Sequence, residues 1–338
     1  MKISFSGAQA LENARANELR HWVGGKAGFS AAERLVADGP IQIDHAPKFK
    51  LTKEMPVFTM GSCFAREVEN VLAGLGVPLL LKGHGVEAKF YESWNEQTQT
   101  GGGVPAGHLS RGAYNKYSVH AMAHEIDRVI HGSDLPQKGL IEVAPDKWFD
   151  PQSAGLPPTD LDTALSLRGN IESATSRIRN ADVVFLTLGL VESWIDNELG
   201  VPLNRAPGGM GFMRIRDRLE FVDHGFQVIS ECMEKLIIDI RQELNPNMKF
   251  IVTVSPVPFH TTFKKDDVIV ANSVSKSILR VVADNLFRKF DFVDYFPSYE
   301  FVTMSSRRIS WHTDQIHVDP KMVRHIMENF VKIYYHGV

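Results

Sequence analysis

The stretch Val57-Phe58-Thr59-Met60-Gly61-Ser62-Cys63-Phe64-Ala65 fixes how the rest of this chain reads. Val57 to Met60 has strand character and runs straight into Gly61-Ser62. A helical pattern follows from Arg66 to Gly74, with Val68, Val71, Leu72 and Leu75 on one side. A small hydroxyl residue at a strand-to-helix junction sits at the C-terminal edge of a sheet. It also sits at the positive end of a helix dipole, where backbone N–H groups are unpaired. In open α/β sheets ligands bind along that edge. Taken alone, Ser62 is either a nucleophile or a helix N-cap, and serine is a favoured cap everywhere.

The chain of 338 residues suffices for one large α/β domain. Its hydrophobic content of 43% and charged content of 23% are those of a globular protein. A net charge of -3 gives no field that would draw nucleic acid or an anionic membrane. The two cysteines, Cys63 and Cys232, make no metal spacing and fit a reducing compartment. There is no secretory signal pattern, and apolar runs such as Val183–Leu190 are too short to cross a bilayer. These features predict a cytoplasmic protein. Nothing in the pattern fixes an oligomeric state.

Outward from the opening stretch, residues 1–45 read as a helical arm packed on a main domain of residues 46–338. One helix is expected from Ala8 to Trp22. A second, Ser30 to Asp38, carries Ser30 and Glu33 in capping-box spacing. Pro78-Leu79-Leu80-Leu81 is expected as a second strand, ending near Gly83 and Gly85. Periodicity weakens between about 87 and 165, which reads as an irregular and helical insertion. Gly101-Gly102-Gly103 there lacks the Lys-Ser/Thr of a phosphate loop. His120 and His124 are four apart on an expected helix, Val119 to Ile130. Without a His-Glu-x-x-His signature or a third ligand they read as packing or solvated histidines. No metal and no cofactor is expected.

Regular structure returns with a helix from Leu161 to Arg179 and a continuous apolar strand, Ala181 to Gly189, followed by Glu192-Ser193-Trp194. A loop rich in glycine and proline is expected from Leu199 to Met213. Beyond it come a helix from Asp223 to Leu244, a strand from Lys249 to Pro256, a helix from Val268 to Phe290, a last strand from Phe292 to Phe296 and a C-terminal helix from Pro320 to Tyr334. Strands alternating with helices imply a doubly wound parallel sheet.

Asp314-Gln315-Ile316-His317 is the second signal. A serine nucleophile needs a base within hydrogen-bond reach and an acid that orients the base. An aspartate three residues before a histidine can place its carboxylate against Nδ1–H and leave Nε2 for the serine. His312 is a competing base without an aspartate at a comparable offset. Cys63 follows the strand end directly, so its side chain turns elsewhere, and it is not expected to be the nucleophile.

Gly61-Ser62-Cys63-Phe64-Ala65 resembles the signature of the GSCFA family, within the SGNH/GDSL hydrolase-like group. Further similar segments follow in order: Pro47 to Leu51, Tyr114-Asn115, Leu186 to Trp194, Ser255-Pro256-Val257-Pro258, Ala271 to Ser277, Tyr295 to Glu300 and Asp314 to His317. The resemblance implies a three-layer α/β/α, flavodoxin-like sheet of the SGNH type. It implies serine esterase or O-acyl(acetyl)transferase chemistry on a carbohydrate or other small ester. Ser62 matches the nucleophile, His317 the base and Asp314 its orienting acid. Gly85, or less well Gly83, matches the glycine whose N–H joins the oxyanion hole. The third block of the group reads Gly-x-Asn-Asp, whereas this chain has Gly189-Leu190-Val191-Glu192. An ionised Glu192 would repel an oxyanion. Either Glu192 anchors a neighbouring loop or Asn115 brings the missing donor from the insertion. Two other readings compete: a non-catalytic ligand-binding domain on the same scaffold, and an anion-binding protein using the helix after Ser62.

Overall fold

The computed structural model describes residues 4–84, 86–87, 109–110, 112–205 and 209–335. Gly85 and Gly101 to Gly103 lie outside the described residues. Four parallel strands form the central sheet, in the spatial order Val57–Gly61, Val183–Leu188, Lys249–Val254, Val293–Tyr295. Every residue of the first two is buried. Alternate residues point to opposite faces of a strand, and the side chains divide accordingly between two apolar clusters. Phe58, Met60, Val184, Leu186, Phe250 and Val252 enter one. Val57, Val183, Phe185 and Ile251 enter the other. Burial on both faces explains why these strands read as unbroken apolar runs instead of alternating ones.

The helices follow the same logic at a period of 3.6. Val68 and Leu72 of the helix Cys63–Gly74 and Ile326 and Phe330 of the helix Pro320–Tyr334 pack into the second cluster. Leu279, Val282, Ala283 and Leu286 of the helix Val268–Lys289 pack into the first, with Met233, Ile237 and Ile240 of the helix Phe226–Glu243. Each such side chain contributes about 1.5–3 kcal/mol by leaving water. Sequence and structure therefore agree on a mixed α/β fold with a central parallel sheet.

Departures occur where elements are short. Pro78–Leu81 makes only a single parallel bridge, Leu79 to Val57, at the sheet edge. A three-stranded antiparallel sheet is formed by Val201–Leu203, Glu192–Asp196 and Leu219–Asp223, and its strand Val201–Leu203 lies in the stretch expected as loop, together with most of a helix at Gly209–Ile215. Strands of three to five residues, one of them carrying Pro202, give too short a pattern to be recognised by periodicity. The first helix spans Gly7–Ala16 and buries no residue. The second, Ala31–Val36, has the capping box, with Ser30 and Glu33 bonded reciprocally. Contact with the main body begins in this helix, where Leu35 packs against the second cluster, and continues with hydrogen bonds from Ile41 N–H to Ser305 Oγ at 2.9 Å and from Lys48 N–H to Asp294 at 3.1 Å.

Within the insertion, the segment Asn115 to Ser118 lies across the ends of two sheet strands. It bridges Gly61 on one side and Leu190 on the other. Lys116 N–H donates to Gly61 O and Leu190 N–H to Tyr117 O, both at 2.8 Å. A glycine at position 189 makes the approach possible, whereas Gly61, at φ +146°, serves the strand pairing, since a Cβ there would strike Thr187 of the neighbouring strand. A Cβ on Gly189 would strike the Tyr117 carbonyl. The Lys116 ammonium is fully buried and bonds Glu125 at 2.7 Å, and Arg168 pairs with the same carboxylate. Removing one member of such a buried group costs about 3–5 kcal/mol, so the segment is firmly tied down.

Candidate active site

A cavity of about 530 Å³ opens over the C-terminal ends of the parallel strands. Ser62, Gly189 and Ser255, the residues next after three of those strands, all line it. So do Asn115, Glu192 and His317. Of the residues singled out in the sequence, the structure thus gathers Ser62, Asn115, Glu192 and His317 around one space, with Asp314 bonded to His317. Gly83 does not line it, and Gly112 does.

Ser62 occupies the N-cap backbone position of the helix Cys63–Gly74, but its side chain makes no capping bond. The hydroxyl donates instead to Ser255 Oγ at 3.0 Å. It is buried, 4% exposed. Cys63 also faces the cavity, and burial raises its thiol to about 11, with Glu67 adding to the shift. A thiol so raised is neutral at pH 7 and a poor nucleophile.

His317 and Asp314 form a local pair. Asp314 Oδ2 meets His317 Nδ1 at 2.6 Å. Its other oxygen accepts from the backbone N–H of Ile316 at 2.9 Å and of His317 at 3.0 Å. Burial alone would raise the carboxyl, but the hydrogen bonds from the His317 ring and backbone and from Ile316 N–H outweigh it. They hold Asp314 well below the usual carboxylate range. Gln315 takes φ +59° inside the turn. No hydrogen bond joins His317 to Ser62 among the described residues. His312 lies on the same turn, its ring 3.9 Å from Asp314 and thus outside bonding distance.

Glu192 is committed elsewhere. Its Oε1 accepts from Thr262 Oγ1 at 2.7 Å, and Lys264 Nζ is 3.8 Å away. Burial raises its carboxyl, against the lowering effect of Thr262 and Lys264. It fastens the loop after the Lys249 strand, which answers the first of the two alternatives posed by the sequence. Asn115 is buried, 3% exposed, and its Oδ1 has no hydrogen-bond partner among the described residues. The amide can turn over, so the position suits an Nδ2 donor equally. Asn204 fixes the backbone around it: Nδ2 donates to Asn115 O at 2.7 Å, and Oδ1 accepts from Tyr117 N–H at 2.9 Å.

Two features were not legible in the sequence as parts of the site. Ser255 lay within a segment quoted above, but nothing local marked it as the partner of Ser62. Lys276, fully buried on the helix Val268–Lys289, donates to Gly189 O at 2.8 Å. Burial brings its ammonium down to about 7. The neighbouring Ser275 Oγ accepts from Val191 N–H at 3.3 Å, so this helix clamps the turn that leaves the Val183 strand.

His120 and His124 pack instead of converging on a metal. His120 stacks on His224 with centroids 3.8 Å apart, and burial lowers both His120 and His124 to about 4. No three His, Cys, Asp or Glu side chains converge on a common point among the described residues.

Polar side chains gathered over the carboxyl ends of a parallel sheet define an α/β protein with its site in the usual place for that class. The GSCFA family matches residues 56–330, and the chain belongs to it. No curated protein matches the chain. Among solved structures, the family 3 carbohydrate esterase of Clostridium thermocellum is similar over 82% of this chain and 94% of its own. The identity is 11% and the TM-score 0.34. No helix among the described residues is long and apolar enough to cross a membrane.

Proposed function

We propose that this protein is a serine esterase or O-acyltransferase of the SGNH type, acting on a carbohydrate or other small ester. Ser62 is the nucleophile, His317 the base, Asp314 its orienting acid and Asn115 an oxyanion donor. The observation that carries this reading is the free N-cap serine. Ser62 has the backbone of a cap yet leaves its hydroxyl uncommitted to the helix, facing a cavity it shares with a histidine bonded to aspartate. A three-layer flavodoxin-like arrangement is supported by the strand order. With the Leu79 bridge counted at the edge, it runs second, first, third, fourth, fifth.

In the reaction, the Ser62 hydroxyl leaves Ser255 and turns to His317 Nε2, which takes its proton as Oγ attacks the ester carbonyl. Serine–base bonds are often long before substrate binds. The oxyanion is held by the Ser62 N–H at the helix start and by the Asn115 amide. Its collapse expels the alcohol, which takes the proton from His317. Water or an acceptor hydroxyl then gives its proton to His317, attacks the acyl-enzyme and restores Ser62.

A fluorophosphonate probe tests this reading. Wild type is expected to be labelled at Ser62, Ser62→Ala not at all and His317→Ala far more slowly. Labelling that persists in Ser62→Ala sinks the nucleophile assignment. The second reading, a ligand-binding domain without catalysis, draws on the bond from Ser62 to Ser255 in place of His317. A folded wild-type protein that resists the probe would favour it.

A further inference from the structure

The cavity has an aromatic wall that the proposed acyl transfer leaves unused. Trp194 and Phe221, from the antiparallel sheet, and Phe263, from the loop after the Lys249 strand, pack on one another. The Trp194 ring meets Phe263 edge-on, with centroids 4.9 Å apart, and lies 5.4 Å from Phe221, which is 5.8 Å from Phe263. All three line the same cavity as Ser62, and Phe259 adds a fourth ring to the lining. Phe263 is 45% exposed, a large apolar surface left facing solvent. Rings held in this way present an apolar surface without a polar atom to bond a sugar hydroxyl, apart from the indole nitrogen, which is itself buried.

The cavity is also larger than an acetyl ester needs. Its volume is about 530 Å³, whereas a water molecule takes about 30 Å³ and an acetyl group only a few times that. The direction of the chemistry says which half of the ester meets the aromatic wall. His317 has to protonate the departing alcohol, and its side chain is 36% exposed, so the alcohol leaves by that open edge. His317 belongs to the turn that leads into the helix Pro320–Tyr334, which packs on one face of the sheet. The sheet that carries Trp194 is in contact with the helix Val119–His131, which packs on the opposite face. The turn with His317 and the sheet with Trp194 are thus carried on opposite faces of the central sheet, and on that ground the wall is assigned to the acyl group.

We propose that this cavity takes esters of an apolar acyl group larger than acetyl, an aryl or medium-chain acyl, seated on Trp194, Phe221 and Phe263. The proposal rests on the serine acyl-transfer reading above and narrows its substrate class. The acyl group stays on Ser62 through both half-reactions, so a wall that holds it serves each of them.

The full-length protein is assayed with 4-nitrophenyl acetate, butyrate, hexanoate and cinnamate, alongside fluorophosphonate labelling. We expect kcat/KM for hexanoate or cinnamate to exceed that for acetate by at least about tenfold, since each buried methylene is worth a few-fold. Trp194→Ala and the half-exposed Phe263→Ala are expected to bring that ratio down toward one. The ratio is taken within one preparation, so it does not depend on the folded fraction. Labelled Ser62 with acetate preferred, or with the ratio unchanged in both variants, overturns the proposal and leaves the serine mechanism standing. A preference that follows the alcohol in a series of alkyl acetates overturns it too, by giving the wall to the other half of the ester. No labelling of wild type removes the mechanism and this proposal together.

Discussion

Ser62 Oγ donates to Ser255 Oγ at 3.0 Å, so in this structure the hydroxyl is bonded at the end of the Lys249 strand and makes no hydrogen bond to His317 among the described residues. Both serines directly follow sheet strands, and both are almost fully buried. The bond is neutral and worth about 1 kcal/mol net. Ser255→Ala is therefore expected to change the rate of fluorophosphonate labelling by no more than about fivefold, against complete loss in Ser62→Ala. A loss of more than a hundredfold in Ser255→Ala would make Ser255 part of the proton path.

Asn115→Ala should lower kcat by about 10²–10³, the loss found when one oxyanion donor is removed. KM should change little, because the donor acts on charge that develops only in the transition state. Steady-state kinetics on any hydrolysed ester would measure both. A rise in KM alone would make Asn115 a ground-state contact.

Asp314→Asn keeps the size of the side chain but favours the wrong tautomer of His317. A loss of about 10³–10⁴ in kcat is expected. The carboxyl is held low by its hydrogen bonds, so it stays ionised through the acid range. Its contribution to stability is present above its unfolded value and disappears only as pH falls through the depressed folded value. Protonation of Asp314 is therefore not expected to limit activity until the strongly acid range. A profile of kcat/KM against pH checks this, and an Asp314→Asn variant with unchanged kcat would remove Asp314 from the mechanism.

His120 and His124 are half-buried, and desolvation lowers both rings to about 4, against the ordinary 6.5. Between those values the unfolded chain binds more protons than the folded one, so stability present above pH 6.5 is lost as pH falls toward 4. Urea melts across that range should show the midpoint dropping. The double variant His120→Gln, His124→Gln should flatten the slope. An equally steep slope in the variant would place the titrating groups elsewhere.

Lys276 gives the opposite end of the pH scale. Its ammonium is lowered to about 7 from an ordinary 10.5, so the unfolded chain binds the extra proton between those values. Stability is expected to rise with pH from 7 toward 10, and Lys276→Met should abolish that rise. The variant also leaves the Gly189 carbonyl without its donor, at a cost of about 1–3 kcal/mol. Thermal melts of both proteins at pH 7 and pH 9.5 measure the difference in slope. An equal rise in both would discount the lysine.

The sequence by itself determined the long elements. The runs Val57–Gly61, Val183–Leu188 and Lys249–Val254 state their type and burial by being continuously apolar, and the helices between them by their period. It also determined the Asp314–His317 pair, because a contact across three residues is local and the turn alone brings the two groups together. The family followed from short segments in a fixed order. What only the tertiary structure decided is everything that joins distant parts. That Ser62 makes no capping bond and donates to Ser255, 193 positions away, is visible only in three dimensions. Asn115 reached the cavity because the insertion bridges Gly61 and Leu190, with Gly189 leaving room for the Tyr117 carbonyl. Glu192 proved to be fastened to Thr262, 70 positions on. None of these contacts leaves a periodic trace, since each depends on how whole layers stack and on which strand ends meet. The serine at the end of Val57–Gly61 is legible as a candidate nucleophile in one dimension, and what its hydroxyl meets is decided only in three.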